Sequence, residues 1–377
     1  MNMSFIRRVL DIASVVSQKS CFLFGPRQTG KTTLIQHDLN SDYFYNLLES
    51  DTFLTLSREP QRLRQEIKKR GAVVVIDEIQ KLPLLLDEVH LLIEKQKCRF
   101  LLTGSSARKL RHGGVNLLGG RARHRVLHPF VFPEIPSLNL LQALNRGLIP
   151  SIYFSDAPEE DLNSYVGDYL KEEIVQEGLT RNIPAFSRFL EVAALCNGQL
   201  INYTEIGNDA QVPRTTVHEY FQILKDTLIA YELTPWKKSK KRKPLSTSKF
   251  YFFDPGVVRT LQKTPILDER SPSFGPAFEH YLFHELQAYC DYKQRGPLHY
   301  WRSTSGYEVD FILDDEIAIE IKAKKSVATR DLAGLRAIAE EHLLRKYLIV
   351  SLEPRPRKVD QIEILPWKTF LEDLWSG

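Results

Sequence analysis

Over the first 150 residues, short apolar runs alternate with stretches whose apolar positions recur at helical spacing. CFLF (21–24), VVVI (73–76) and RFLL (99–102) are such runs, each leading into polar residues. Short apolar or β-branched runs of this kind predict strands buried on both faces of a parallel sheet. Helical patterns lie near 51–70 and 83–97. The repeated strand-then-helix order predicts a three-layer α/β fold with a parallel sheet. After Pro150 the alternation stops. Residues 161–196 are expected to be helical, with Leu162, Tyr165, Val166, Tyr169, Leu170, Phe186, Phe189, Leu190 and Ala193 in a core.

Residues 203–227 predict a helix–turn–helix. YTEIGNDA is a short helix, QV a tight turn, and Pro213 suits the first position of a second helix. In that helix Val217, Tyr220, Phe221 and Leu224 make one buried stripe. Arg214, Thr215, His218 and Glu219 are left outward, where a recognition helix meets a major groove. LIAYELTPW and KFYFFD are expected to be the strands of a wing. The loop between them holds Lys237, Lys238, Lys240, Lys241, Arg242 and Lys243, six cations in seven residues. Two readings stay open: a basic tip on phosphates, or a winged helix that binds protein beside a solvated loop.

YEVDFILDDEIAIEIKA (307–323) reads as two alternating strands around an acidic turn. A two-residue loop, Asp314–Asp315, would point Asp310 and Glu320 to opposite sides. A three-residue loop, 314–316, puts Asp310 across from Glu320 and Glu308 across from Lys322. It also sends Phe311, Leu313, Ile317, Ile319 and Ile321 to the other face, so burial favours it. The three-residue loop is therefore predicted. Opposed Cβ atoms lie roughly 5 Å apart, close enough for two carboxylates to share a divalent ion beside Lys322.

The first strand runs straight into GPRQTGKT, which satisfies G-x-x-x-x-G-K-[ST]. Gly25, Pro26, Arg27, Gln28, Thr29, Gly30, Lys31, Thr32 and Thr33 are the expected nucleotide-binding residues. The glycines let successive N–H groups point at one phosphate, and the following helix adds its positive end. Lys31 reaches the β- and γ-phosphates, and the Thr32 hydroxyl ligates Mg²⁺. VVVIDE supplies Asp77 for the same Mg²⁺ and Glu78 as general base for the attacking water. Ser105, with Thr103 and Ser106 at the exit of the third strand, is the candidate γ-phosphate sensor.

Charge changes the picture locally. The chain carries 51 Lys plus Arg and 47 Asp plus Glu, a net +4. The total hides a split: residues 1–150 hold 22 basic and 13 acidic side chains, and the remainder 29 and 34. No acid lies between Glu94 and Glu134, a stretch with nine Lys and Arg. Arg121 is the candidate arginine finger, acting across a subunit interface. The other cations of the stretch contact nucleic-acid phosphates or form a solvated surface. Cys21, Cys98, Cys196 and Cys290 contain no C-x-x-C pair, which excludes a zinc ribbon and points to buried thiols in a reducing cytosol. No apolar run reaches the length of a membrane span.

Taken together, GPRQTGKTTL, VVVIDEIQKLP and FLLTGSSARKL resemble the prokaryotic AAA+ ATPases of the archaeal-type branch, which carry a C-terminal domain of unknown function. GLIPSIYFSDAPEEDLNSYVGDYLKEEI, KFYFFDPGVVRTL and FEHYLFHEL extend the resemblance over nearly the whole chain. It implies a P-loop ATPase domain over 1–150, helices and a winged helix over 151–260, and a small restriction-endonuclease-like α+β domain over 261–377. Its nuclease pattern is an acid on a helix, then Asp, then Glu-x-Lys across two strands. Glu279, Asp310, Glu320 and Lys322 match, although Glu308–Val309 stands where the pattern has proline. The expected function is a Mg²⁺-dependent ATPase in the cytoplasm, a homo-oligomer on nucleic acid, DNA ahead of RNA. A metal-dependent nuclease governed by ATP and an ATP-controlled protein-interaction switch are the alternatives.

Overall fold

A computed structural model of the chain describes residues 5–105, 108, 110, 118–169 and 182–377. Its contacts divide into two compact units. One comprises residues up to Phe130 together with Asp226–Ile229, and the other Val131–Lys225 and Ala230–Gly377.

The first unit is the expected parallel α/β fold. In chain order it has α1 (Ile12–Gln18), β1 (Ser20–Phe24), α2 (Lys31–Asp38), β2 (Tyr43–Asn46), α3 (Ser50–Arg58), α4 (Arg62–Glu66), β3 (Val73–Asp77), α5 (Leu85–Gln96), β4 (Arg99–Gly104) and β5 (Ala122–Val126). The strands form one sheet in the order β2-β3-β4-β1-β5, with every neighbouring pair parallel. Phe22, Val74, Ile76, Phe100 and Leu102 pack with Leu85, Val89 and Leu92 of α5 in one core. This is why VVVI and RFLL carry no polar alternation. Because β4 lies between β1 and β3, its exit falls between the GPRQTGKT loop and Asp77–Glu78.

The second unit begins with short helices, α6 (Leu140–Arg146), α7 (Pro150–Tyr153) and α8 (Pro158–Ser164), the last running into a π turn to Tyr169. Leu170, expected in the core, lies outside the described residues. Next come α9 (Ile183–Leu195), α10 (Tyr203–Ala210) and α11 (Arg214–Asp226). Val217, Tyr220, Phe221 and Leu224 of α11 are buried as the stripe predicts.

The hairpin after α11 departs from the expectation of a free wing. Strands β6 (Ala230–Pro235) and β7 (Lys249–Phe252) pair antiparallel. However, β6 also pairs with β8 (His299–Arg302), Thr234 opposite His299. The hairpin is thus one edge of an eight-stranded mixed sheet, ordered β12-β13-β11-β10-β9-β8-β6-β7. Helices α12 (Pro255–Leu261) and α13 (Phe274–Lys293) precede β8 in the chain. Strands β9 (Glu308–Leu313), β10 (Ile317–Lys322), β11 (Lys346–Ser351), β12 (Arg357–Val359) and β13 (Ile362–Pro366) complete the sheet, with α14 (Ala333–Ala339) before β11 and α15 (Trp367–Ser376) at the end. Gly334 of α14 crosses β9 so closely that a Cβ there would meet the Glu308 carbonyl oxygen at 1.9 Å. Only glycine permits that approach.

Candidate functional site

The loop after β1 is built for close backbone packing. Gly25 has φ +158°, and a Cβ on it would lie 2.4 Å from the Leu127 carbonyl oxygen. Gly30 has φ +90° and caps α2, whose first residue is Lys31. Lys31 is buried and donates from Nζ to the carbonyl oxygens of Gly25, 2.8 Å, and Pro26, 3.0 Å. The Thr29 hydroxyl donates to the Pro26 carbonyl at 2.9 Å, which closes the loop. The Thr32 hydroxyl donates to Asp77 Oδ2 at 3.0 Å. A hydroxyl and a carboxylate, brought together from 45 residues apart, form the oxygen pair that a Mg²⁺ ion takes. On donor chemistry the loop suits a triphosphate, with Thr32 and Asp77 for its metal.

At the exit of β3, Glu78 adopts φ 63°. A left-handed glutamate is costly, and such strain concentrates at functional sites. The Gln80 amide donates to its carboxylate. Its own N–H donates to Thr103 Oγ1 at 3.1 Å, and the Thr103 hydroxyl donates in turn to Asp77. Thr103, on the intervening strand, is therefore the group tied to both acids. Ser105 is buried one step further on, its hydroxyl 3.5 Å from the Gln80 amide. Ser106 lies outside the described residues.

The structure does not bring Arg121 to this site. Ala122 pairs with Ser20, the first residue of β1, whereas the phosphate loop follows Phe24, the last. Arg121 thus lies at the opposite end of the strands, roughly 15 Å away at strand rise. It is paired with Glu94, whose carboxyl this hydrogen bond holds below its ordinary range. In its place is an arginine that sequence patterns gave no reason to select. Arg8 is buried, and it donates to the carbonyl oxygens of Thr29, 2.7 Å, His128, 2.7 Å, and Pro129, 3.2 Å. Its guanidinium lies over the Phe130 ring, 5.1 Å from the centroid. Arg8 therefore fastens the phosphate loop to the segment after β5.

The second unit holds a different cluster. Ile317 pairs with Leu313, Ala318 with Ile312 and Ile319 with Phe311, which leaves the three-residue loop 314–316 as predicted, with Asp310 and Glu320 just beyond the last paired residues. A pocket of about 580 Å³ is lined by Glu279, Glu308, Asp310, Glu320, Lys322, Lys249 and Arg302 with residues 198–200. Tyr251 donates to Glu279 at 2.6 Å, the Ile321 N–H donates to Asp310 at 2.7 Å, and Lys322 pairs with Glu320. Lys249, buried on β7, pairs with Glu308 at 2.6 Å. Among the described residues, Glu320 Oε2 is buried with no hydrogen-bond partner. Burial, followed by the charge of Asp310, pushes Glu279 up to about 7 and Glu320 well above the carboxylate range. Burial likewise raises Asp310. For Lys249 and Lys322 burial acts the other way, but the surrounding carboxylates outweigh it and raise both. The four residues of the nuclease pattern do converge. Even so, among the described residues no group of three His, Cys, Asp or Glu is arranged to hold a metal ion. Lysines already face these carboxylates, Lys249 on Glu308 and Lys322 on Glu320 Oε1.

Arg214, Thr215 and His218 are exposed on α11. The basic loop is not free. The Glu341 carboxylate accepts from Ser239 Oγ at 2.7 Å and from the backbone N–H groups of Lys240, 2.8 Å, Lys241, 3.0 Å, and Arg242, 3.2 Å. Burial pushes Glu341 up, but the bonds from Ser239 and the backbone outweigh it and hold the carboxyl at about 2. The four cysteines are free thiols, Cys196 half-buried and the others buried. Among the described residues, no helix is long and apolar enough to cross a membrane.

Comparison with known proteins agrees with the first unit and leaves the rest open. Residues 17–136 match the AAA domain family. Residues 138–267 and 274–370 match two domains of unknown function, DUF8612 and DUF4143. Among curated proteins the chain is similar to uncharacterized proteins of Mycobacterium tuberculosis (Rv2008c) and Mycobacterium bovis (Mb2031c). Each is 26% identical over 317 residues, spanning 82% of this chain and 69% of the relative.

Proposed function

We propose, for a chain that joins an AAA domain to a C-terminal domain of unknown function, that it binds ATP with Mg²⁺, hydrolyses the γ-phosphate and uses the cycle to move a nucleic-acid-associated C-terminal half. The observation that carries the reading is the Thr32–Asp77 pair at 3.0 Å beside the left-handed Glu78. The N–H groups of the loop from Gly25 to Gly30 receive the phosphates, and Lys31 exchanges its loop carbonyls for phosphate oxygens. Bound Mg²⁺ would neutralise charge on the β- and γ-oxygens. Glu78, released from Gln80, takes the proton of the attacking water. Thr103 keeps both acids in register, and Ser105 is positioned to report on the γ-phosphate. Arg121 serves a neighbouring copy in a homo-oligomer, since its own nucleotide loop is at the other end of the strands.

Phosphate release by the full chain tests this. Activity should require Mg²⁺ and vanish in Lys31→Ala. Hydrolysis that persists in Lys31→Ala would remove the site from the account. A second reading, a metal-dependent nuclease, is favoured by the convergence of Glu279, Asp310, Glu320 and Lys322 on one pocket. Its test is cleavage of DNA and RNA with Mg²⁺ or Mn²⁺, which Asp310→Ala must abolish.

A further inference from the structure

The seven residues 237–243 divide into two sets. Lys238 pairs with Asp315 at 2.9 Å, and Asp315 also accepts from the Trp236 indole at 2.7 Å. Lys241 Nζ donates to the Glu340 carbonyl oxygen. Arg242 donates to the Ala337 carbonyl and to Glu340, each at 2.8 Å. These cations hold the loop in place. Lys237, Lys240 and Lys243 are exposed, and among the described residues their ammonium groups have no acidic partner.

Holding three like charges on an ordered loop costs repulsion and chain entropy. The cost is already met here by Glu341, whose carboxylate takes the Ser239 hydroxyl and the backbone N–H groups of residues 240–242. A loop ordered in advance binds a polyanion with less entropy left to lose.

The loop also leads somewhere. The Thr304 N–H donates to the Lys243 carbonyl at 3.0 Å, and the Leu245 N–H donates to the Arg302 carbonyl at 2.8 Å. Pro244 and Ser303 form an antiparallel bridge. The chain thereby runs alongside residues 302–304, and Arg302 lines the carboxylate pocket. Arg242 lies over one face of the Tyr307 ring, 5.3 Å from its centroid, and Tyr307 as a residue is 39% exposed. Cations spaced around an accessible aromatic face are the chemistry of single-strand binding, in which phosphates meet lysines and a base stacks on the ring.

We propose that residues 237–243, Arg302 and Tyr307 form one strip for a single-stranded polynucleotide leading to the Asp310–Glu320 pocket, with Lys237, Lys240 and Lys243 on phosphates and Tyr307 under a base. The proposal rests on the nucleic-acid part of the function above and gives it a place and a substrate class. It moves the main contact from the outward face of α11 to the hairpin loop.

The test is fluorescence anisotropy of the full chain with oligothymidylate, the matching oligouridylate, a blunt duplex and anionic phospholipid vesicles, across a salt series. Three phosphate contacts set the slope of log affinity against log salt at about 2 and contribute about a hundredfold at ~0.1 M salt. Lys237→Ala/Lys240→Ala/Lys243→Ala should lose both while melting at the parent's temperature. Lys238→Ala should keep a slope near the parent's. Tyr307→Leu should weaken oligothymidylate about tenfold without changing the slope. The two single strands separate DNA from RNA as the source. If the parent binds single strands and the triple variant keeps its slope, the strip is wrong and the nucleic-acid reading survives, on α11. If the parent binds no polynucleotide, or binds only vesicles, both fall. A duplex that binds more tightly than the single strands through the same lysines also overturns the strip.

Discussion

At the scale of single residues, the nucleotide site was legible where its chemistry forces residues to be contiguous. A loop that aims successive N–H groups at one phosphate needs glycines at fixed offsets, so Gly25, Gly30, Lys31 and Thr32 announce themselves. Arg8 does not, because its partners are carbonyl oxygens 21 to 121 residues away, which any residue type supplies. Arg8→Ala removes the donor from three carbonyls and is expected to cost about 2–4 kcal/mol. A melting curve with and without ATP should show a lower midpoint in both and a smaller shift on adding nucleotide. Gly25→Ala drives a methyl group into the Leu127 carbonyl and should abolish nucleotide binding measured by calorimetry. Normal affinity would mean that the close packing at Gly25 is not needed.

At the scale of elements, alternation was enough to fix the β9–β10 register, because a slip by one residue would exchange the carboxylates with Phe311 and Ile319. It was not enough to say which sheet the β6–β7 hairpin joins. That depends on Thr234 and Pro235 pairing with His299 and Tyr300, some 65 residues on, and edge pairing leaves little trace in side-chain pattern. For the same reason the basic run read as a free tip, although Glu341 holds it. Glu341→Ala should free the loop, and trypsin should then cut at Lys240–Lys243 well before the rest of the chain. Equal resistance in parent and variant would contradict the anchoring. On α13, Glu285 is fully buried and accepts from the Phe132 N–H and the Trp375 indole, each at 2.9 Å. Burial pushes its carboxyl from 4.5 up to about 8. The folded state therefore binds the extra proton over this range. Stability contributed by the neutral acid is present in full below about pH 4.5 and lost as pH rises towards about 8. Glu285→Gln lacks this term, so its melting temperature should gain on the parent's across that window. Parallel curves would show that Glu285 does not titrate there.

At the scale of the whole molecule, the net charge of +4 conceals two local arrangements. Three described cations of the acid-free stretch have partners close at hand. Arg99 donates to the Ser17 carbonyl and Arg123 to the Gln18 side chain, and Arg121 is held by Glu94 at the end of the strands away from the loop. An arginine so placed contributes to hydrolysis only from another copy of the chain. Turnover per chain should then rise with protein concentration, and Arg121→Ala should remove the rise while leaving the dilute rate unchanged. A rate per chain independent of concentration would contradict a finger supplied across subunits. The carboxylate pocket, by contrast, was legible from Asp310, Glu320 and Lys322, yet Lys249 and Tyr251 were not. They reach it from β7, whose place beside the pocket follows from the sheet's long-range pairing.

The central claim is that Glu78, Lys31 and the Thr32–Asp77 pair make an ATP-hydrolysing site. It is tested most directly by a single turnover of labelled ATP on excess protein with Mg²⁺. The account predicts that Glu78→Gln retains bound ATP but cleaves it about 10²- to 10⁴-fold more slowly, the range for loss of a general base. Cleavage by Glu78→Gln at the parent's rate would contradict it.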